Sequence, residues 1–135
     1  LTVCAKHLEF GREGEACAAA FLAAKGYVVE ARNFATRGGE VDLICRDGDT
    51  LVFVEVKARQ AGSLARPDEA VTPAKRRKLV RAAAAYLSER NLWDRPCRFD
   101  VVAVVNAGGR LTATHLADAF SLEDAGLGCG LYQPW

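Results

Sequence analysis

Two runs rich in β-branched and aromatic residues, Glu40–Arg46 and Thr50–Arg59, flank the tripeptide Asp47-Gly48-Asp49. An Asp-Gly step between such runs is a strong short-range hairpin signal. Alternation along the strands predicts that Glu40, Asp42 and Ile44 share one face while Val41, Leu43 and Cys45 share the other. On the second strand Leu51, Phe53, Glu55, Lys57 and Arg59 oppose Val52, Val54, Val56 and Ala58. If Gly48 and Asp49 form a two-residue turn, Asp47 pairs with Thr50 and counting back sets Asp42 directly opposite Glu55. If Asp47 and Gly48 form it, the two carboxylates become diagonal neighbours on the same face. A three-residue turn would separate them onto opposite faces.

The rest of the chain supplies the partners this hairpin needs. An Ala- and Leu-rich helix is expected over about Leu8–Lys25, stopped by Gly26, and a strand over Tyr27–Asn33. Gln60–Thr72 reads as a loop. A second helix runs from Pro73, with Thr72 as N-cap, to about Arg90. Arg98–Asn106 and Leu111–Leu116 read as two more strands joined across Gly108 and Gly109. The order helix, three strands, helix, two strands implies an α/β fold, a central sheet with helices on its faces. At 135 residues, half hydrophobic and 26% charged, the chain suits one domain over 1–135, with a core of about 8–116 and a Gly-rich tail over 117–135. No apolar run nears the roughly 20 residues of a membrane span and no secretory pattern is seen, so a cytoplasmic protein without a membrane partner is expected. Five widely spaced cysteines, Cys4, Cys17, Cys45, Cys97 and Cys129, show no paired spacing and argue against a zinc site or disulfide framework; Cys17 and Cys45 read as small buried hydrophobes. His7 and His115 stand alone and are read as structural.

The carboxylate pair carries the chemistry. Two acids held about 5 Å apart repel, and a cation between them relieves the repulsion. Lys57, two residues from Glu55 on the same face, is one candidate; a hard divalent ion such as Mg²⁺ is the other. Together they would polarise a phosphate oxygen and activate or orient a water. Glu15 falls on the helix stripe of Leu8, Ala18, Ala19 and Leu22, where an unpaired charge is costly, and is a candidate further ligand. Glu40, one pleat along from Asp42, would act through the ligands rather than bind the ion. A solvated cross-strand ion pair would need the same residue types; the apolar Leu51, Phe53 and Ile44 on that face and the inward Glu15 count against it. Net charge is only +1, yet Lys57, Arg59, Arg66, Lys75, Arg76, Arg77, Lys78 and Arg81 fall in one segment, opposed only by Asp68 and Glu69. That basic stretch, with four cations opening the second helix, suits the backbone of a nucleic acid. Asp100, close to Arg98, reads as a structural partner for an arginine.

The blocks Gly14-Glu15, Arg32-Asn33, Gly39-Glu40-Val41-Asp42-Leu43-Ile44, Phe53-Val54-Glu55-Val56-Lys57-Ala58-Arg59 and Arg98-Phe99-Asp100-Val101-Val102 resemble, in order and spacing, the YraN-like family of small bacterial proteins. That family is similar to the restriction-endonuclease-like superfamily. The superfamily's PD-(D/E)xK site corresponds here to Asp42, Glu55 and Lys57, with Val41 in place of the motif's proline, and Glu15 matches the N-terminal helix glutamate of archaeal Holliday junction resolvases. The resemblance implies an αβββαβ core and a Mg²⁺- or Mn²⁺-dependent endonuclease acting on DNA, including branched or structured DNA. Asp42, Glu55, Glu15 and the Val56 carbonyl would hold the ion, Lys57 would serve the nucleophile, and Arg59, Arg66, Lys75, Arg76, Arg77 and Lys78 would hold the backbone. A homodimer would suit symmetric cutting. A rival expectation is a nucleic-acid-binding or scaffold protein that keeps the fold without catalysis.

Overall fold

The computed structural model describes residues 3–62 and 71–120, with side chains from residue 12 onward. Helix α1 (Val3–Ala24) leads into β1 (Val28–Thr36), β2 (Gly39–Asp47) and β3 (Thr50–Gln60), followed by α2 (Pro73–Arg90), β4 (Cys97–Ala107) and β5 (Arg110–Phe120). The strands form one mixed five-stranded sheet in the order β1-β2-β3-β4-β5. Only the β3–β4 pair is parallel. A parallel pair cannot be closed by a tight turn and needs a crossover, which contains α2.

The helix ends follow from local chemistry. Gly26, at φ +97°, closes α1, and the Tyr27 N–H donates back to the Leu22 carbonyl at 3.1 Å, the bonding of a left-handed helix stop. Thr72 caps α2, its Oγ1 accepting from the Lys75 N–H at 3.2 Å, while Pro73 opens the helix where no N–H partner is needed. Asn91 ends it in the left-handed region.

The sheet is buried on both faces. Ala18, Ala19 and Leu22 of α1 cover Leu43, Cys45, Val52, Val54, Val102 and Val104. Leu79, Val80, Ala83, Tyr86 and Leu87 of α2 cover Val41, Ile44, Leu51, Phe53, Phe99 and Val101. Each Val, Leu, Ile or Phe so buried contributes about 1.5–3 kcal/mol, and the middle strands β3 and β4 bury apolar side chains into both layers. The core reaches beyond the expected limit at residue 116: β5 continues to Phe120, which is 4% exposed and stacks on Phe99 with ring centroids 4.9 Å apart. Residues 121–135, most of the expected tail, lie outside the described residues, as does most of the expected 60–72 loop. Among the described residues no helix is long and apolar enough to cross a membrane.

One expectation fails in an informative way. Strict alternation would put Val41 with Leu43 and Cys45, yet Val41 joins Ile44 in the α2-side core while Leu43 and Cys45 face α1. The β1–β2 pairing passes from Arg32↔Leu43 to Phe34↔Val41 and skips Asn33 and Asp42, and Asn33 has φ +51°. A left-handed residue kinks its own strand, here β1. On β2 the change of face falls between Val41 and Leu43, beside Asp42.

Candidate metal and nuclease site

The hairpin turn is the two-residue Gly48–Asp49 form: Asp47 pairs with Thr50, and the ladder continues regularly as far as Leu43↔Val54. The next positions are Asp42 and Glu55, and there the strands part. In a continued ladder the Val56 N–H would go to Val41. Instead it donates to Asp42 Oδ2 at 2.8 Å. A residue's N–H and C=O lie on the same edge of a strand, so the Val56 carbonyl also faces the gap at Asp42.

Three of the expected residues, Asp42, Glu55 and Lys57, meet there, and the charge of a fourth, Glu15, acts on Asp42. Lys57 Nζ lies 2.9 Å from Glu55 Oε2, and both side chains are only 13% exposed. Burial first, then the charge of Glu55, pushes the Asp42 carboxyl up to about 7; the Val56 N–H opposes the rise, while a hydrogen bond with Glu55 and the charge of Glu15 add to it. Glu15 reaches this neighbourhood from α1, which packs over β3 and β4 here: a Cβ on Gly14 would be in ordinary van der Waals contact, 3.4 Å, with the Ala58 Cβ. Burial pulls the Lys57 ammonium down, but its contacts with Lys75, Glu55 and Asp42 outweigh that and leave it above its ordinary value.

The other expected residues divide. Glu40 is exposed and shares a cavity of about 80 Å³ with Glu55, Lys75, Lys78 and Leu79. Lys75, expected only to hold a nucleic-acid backbone, reaches the site itself, with Nζ 3.7 Å from Glu55 Oε2. Arg76 is engaged elsewhere: its Nε donates to the Val71 carbonyl at 3.0 Å and its guanidinium lies 5.1 Å over the Phe120 ring. Arg77 and Lys78 are exposed and Arg59 is half-buried; Arg66 lies outside the described residues.

Gly39 is a site-building residue that sequence reasoning missed. A Cβ there would meet the Lys78 carbonyl oxygen at 2.4 Å and the Ala82 nitrogen at 2.9 Å. The β1–β2 turn thus docks directly on the α2 backbone and fixes the helix against β2. The Gly38-Gly39 pair was the available signal.

Outside the site, the structural roles expected for Asp100 and His115 hold. Asp100 is buried, accepting from Arg98 Nε at 3.0 Å and the Asp118 N–H at 2.9 Å, with His115 Nε2 at 2.7 Å. Arg98 continues to Asp47 and the Tyr27 hydroxyl. Cys17, Cys45 and Cys97 are free thiols, and burial first, then nearby acids, pushes Cys45 up to about 11, as suits an inert packed sulfur.

The model of the uncharacterised protein family UPF0102 matches residues 14–104, the span that holds Glu15, Asp42, Glu55, Lys57 and Lys75. The chain belongs to this family. A UPF0102 protein of Nitratidesulfovibrio vulgaris strain DP4 is 48% identical over 126 residues, covering 93% of this chain and 94% of the relative. One from Symbiobacterium thermophilum is 50% identical over 111 residues, covering 82% and 94%. Another, from Oleidesulfovibrio alaskensis, is 52% identical over 101 residues but extends well beyond the match, which covers 75% of this chain and 50% of the relative.

The donors suit a hard cation. Among the described residues no group of three or more His, Cys, Asp or Glu side chains is placed to hold a metal ion. Mg²⁺, however, is commonly held by one or two carboxylates with waters and substrate phosphate completing its shell. Asp42, Glu55 and the Val56 carbonyl edge offer that set, with Glu15 beyond. All are oxygen donors, which favours Mg²⁺ or Mn²⁺ over softer ions.

Proposed function

We propose that this protein is a Mg²⁺- or Mn²⁺-dependent endonuclease that hydrolyses phosphodiester bonds in DNA, including branched or structured DNA, on a restriction-endonuclease-like core. The observation that carries this reading is the side-by-side pair of Asp42 and Glu55 at the break in the β2–β3 ladder, with Lys57 on Glu55. A half-buried acid pushed up to about 7 by burial and its neighbour is unfavourable for the metal-free fold above that pH, and a bound cation offsets it. The order α1-β1-β2-β3-α2-β4 agrees with the αβββαβ core of that superfamily.

Asp42, Glu55 and the Val56 carbonyl would hold the ion, with Glu15 reached directly or through water. When bound, the ion supplies Lewis-acid polarisation of a phosphoryl oxygen and lowers the pKa of a water. Lys57, kept as an ammonium by its acidic neighbours, donates hydrogen bonds: it orients the attacking water and offsets negative charge growing on the phosphoryl oxygens. Exposed Arg77 and Lys78 supply backbone contacts.

Cleavage of junction, flap and duplex DNA in Mn²⁺ by the wild type and by Lys57→Ala tests this. The expected loss is at least about 100-fold, the scale of removing one charge-stabilising donor; equal activity in both proteins would refute the assignment. A rival reading has a specific observation behind it. Lys57 and Lys75 already neutralise Glu55 without an ion, as a nucleic-acid-binding protein without catalysis could use. It predicts salt-sensitive DNA binding indifferent to divalent ions.

A further inference from the structure

Two ammonium groups share one carboxylate oxygen at the site. Lys57 Nζ is 2.9 Å and Lys75 Nζ 3.7 Å from the same Glu55 Oε2. A divalent ion on Glu55 would put three cationic groups around one carboxylate, and their mutual repulsion favours departure of the most weakly held.

The structure shows which is free to go. The Lys57 side chain is 13% exposed and lies on the strand that carries Glu55, whereas that of Lys75 is 49% exposed. The Lys75 backbone is pinned, its N–H donating to the Thr72 cap, and α2 is held on β2 by the close approach at Gly39. Only the side chain can swing. Beside it is the cavity of about 80 Å³ that it shares with Glu40 and Lys78. The neighbouring Arg76 is occupied by the Val71 carbonyl and the Phe120 ring and cannot take the same role.

We infer that Lys75 is a displaceable cation: it occupies the Glu55 carboxylate while no divalent ion is present, competes with the ion for that oxygen, and moves off it into the cavity beside Lys78 when the ion binds. The inference rests on the metal-site reading of Asp42 and Glu55 and adds a residue from the other side of the sheet that sets how tightly the ion is held. In this role Lys75 is a positioning residue, acting on the ion through Glu55.

Calorimetric titration of the full chain with Mn²⁺ alone, without nucleic acid, tests it. Lys75→Gln should bind Mn²⁺ about two- to fivefold tighter than wild type, the worth of losing one partly exposed ion pair. Arg95→Gln, which removes the same charge from an exposed position ahead of β4, should bind as wild type does, and Glu55→Gln should bind far more weakly. Equal or weaker Mn²⁺ affinity in Lys75→Gln, with wild type binding normally, overturns the role of Lys75 and leaves the metal site standing. Absence of Mn²⁺ binding in both wild type and Lys75→Gln overturns the metal site and this inference with it.

Discussion

Replacing Asp42 with Asn should stabilise the metal-free protein at alkaline pH, an unusual outcome for a change at a half-buried site. Asn keeps the side-chain shape and an oxygen to accept from the Val56 N–H, but carries no charge to repel Glu55. The sign follows from linkage. The Asp42 carboxyl is raised from 3.8 to about 7 in the fold, so its protonated form contributes stability that is fully present below about pH 4 and is lost as pH rises through about 7. At about 1.4 kcal/mol per pKa unit the full effect is near 4 kcal/mol. Sharing a proton with Glu55 and local entry of water reduce this, leaving about 1–3 kcal/mol in favour of Asp42→Asn at pH 8.5. For a domain of this size that is a rise in Tm of roughly 4–10 °C. Thermal and urea melts in a chelator at pH 8.5 and pH 5 are the assay. At pH 5 folded Asp42 is largely protonated while its unfolded counterpart is largely ionised, so the advantage of Asp42→Asn should shrink to less than half of its value at pH 8.5. Added Mn²⁺ should raise the wild-type Tm at pH 8.5 and leave Asp42→Asn almost unmoved. The reasoning is refuted if Asp42→Asn is no more stable than wild type at pH 8.5, or if its advantage is as large at pH 5.

Two further changes probe the frame that holds the site. Asp100→Ala leaves Arg98 and His115 without their buried carboxylate and the Asp118 N–H without its acceptor; a loss of about 3–5 kcal/mol is expected in urea unfolding, and a loss below about 1 kcal/mol would show that the network can rearrange. Gly39→Ala drives a methyl into the α2 backbone at Lys78 and Ala82, which must shift α2 off β2; a destabilisation of about 1–3 kcal/mol is expected, with an unchanged melting curve ruling out the close approach.

Much of the site was legible because its main part is local. The two-residue turn and the register as far as Leu43↔Val54 are written within the hairpin itself, and counting on from them leads to Asp42 and Glu55. Glu15 was visible as a charge on an apolar helix stripe, and Thr72, Pro73 and Gly26 marked helix ends by the hydrogen bonds they make or cannot make. These readings depend on a few neighbouring dihedral angles, which nearby residues control.

Tertiary structure decided the rest. Alternation placed Val41 on the wrong side because regular pleating is interrupted between Val41 and Leu43, where the β2–β3 ladder ends and the Asp42 carboxylate accepts from the Val56 N–H. The arrival of Lys75 at Glu55 depends on the crossover after β3 and on Gly39 letting α2 settle against β2. Asp100 gathers partners at positions 98, 115 and 118, and Arg98 reaches back to Asp47 and Tyr27. Side-chain period follows from local backbone geometry and can be counted along the chain. Which layers close over a gap in a sheet depends on packing between segments far apart in sequence, and only the folded arrangement brings them together.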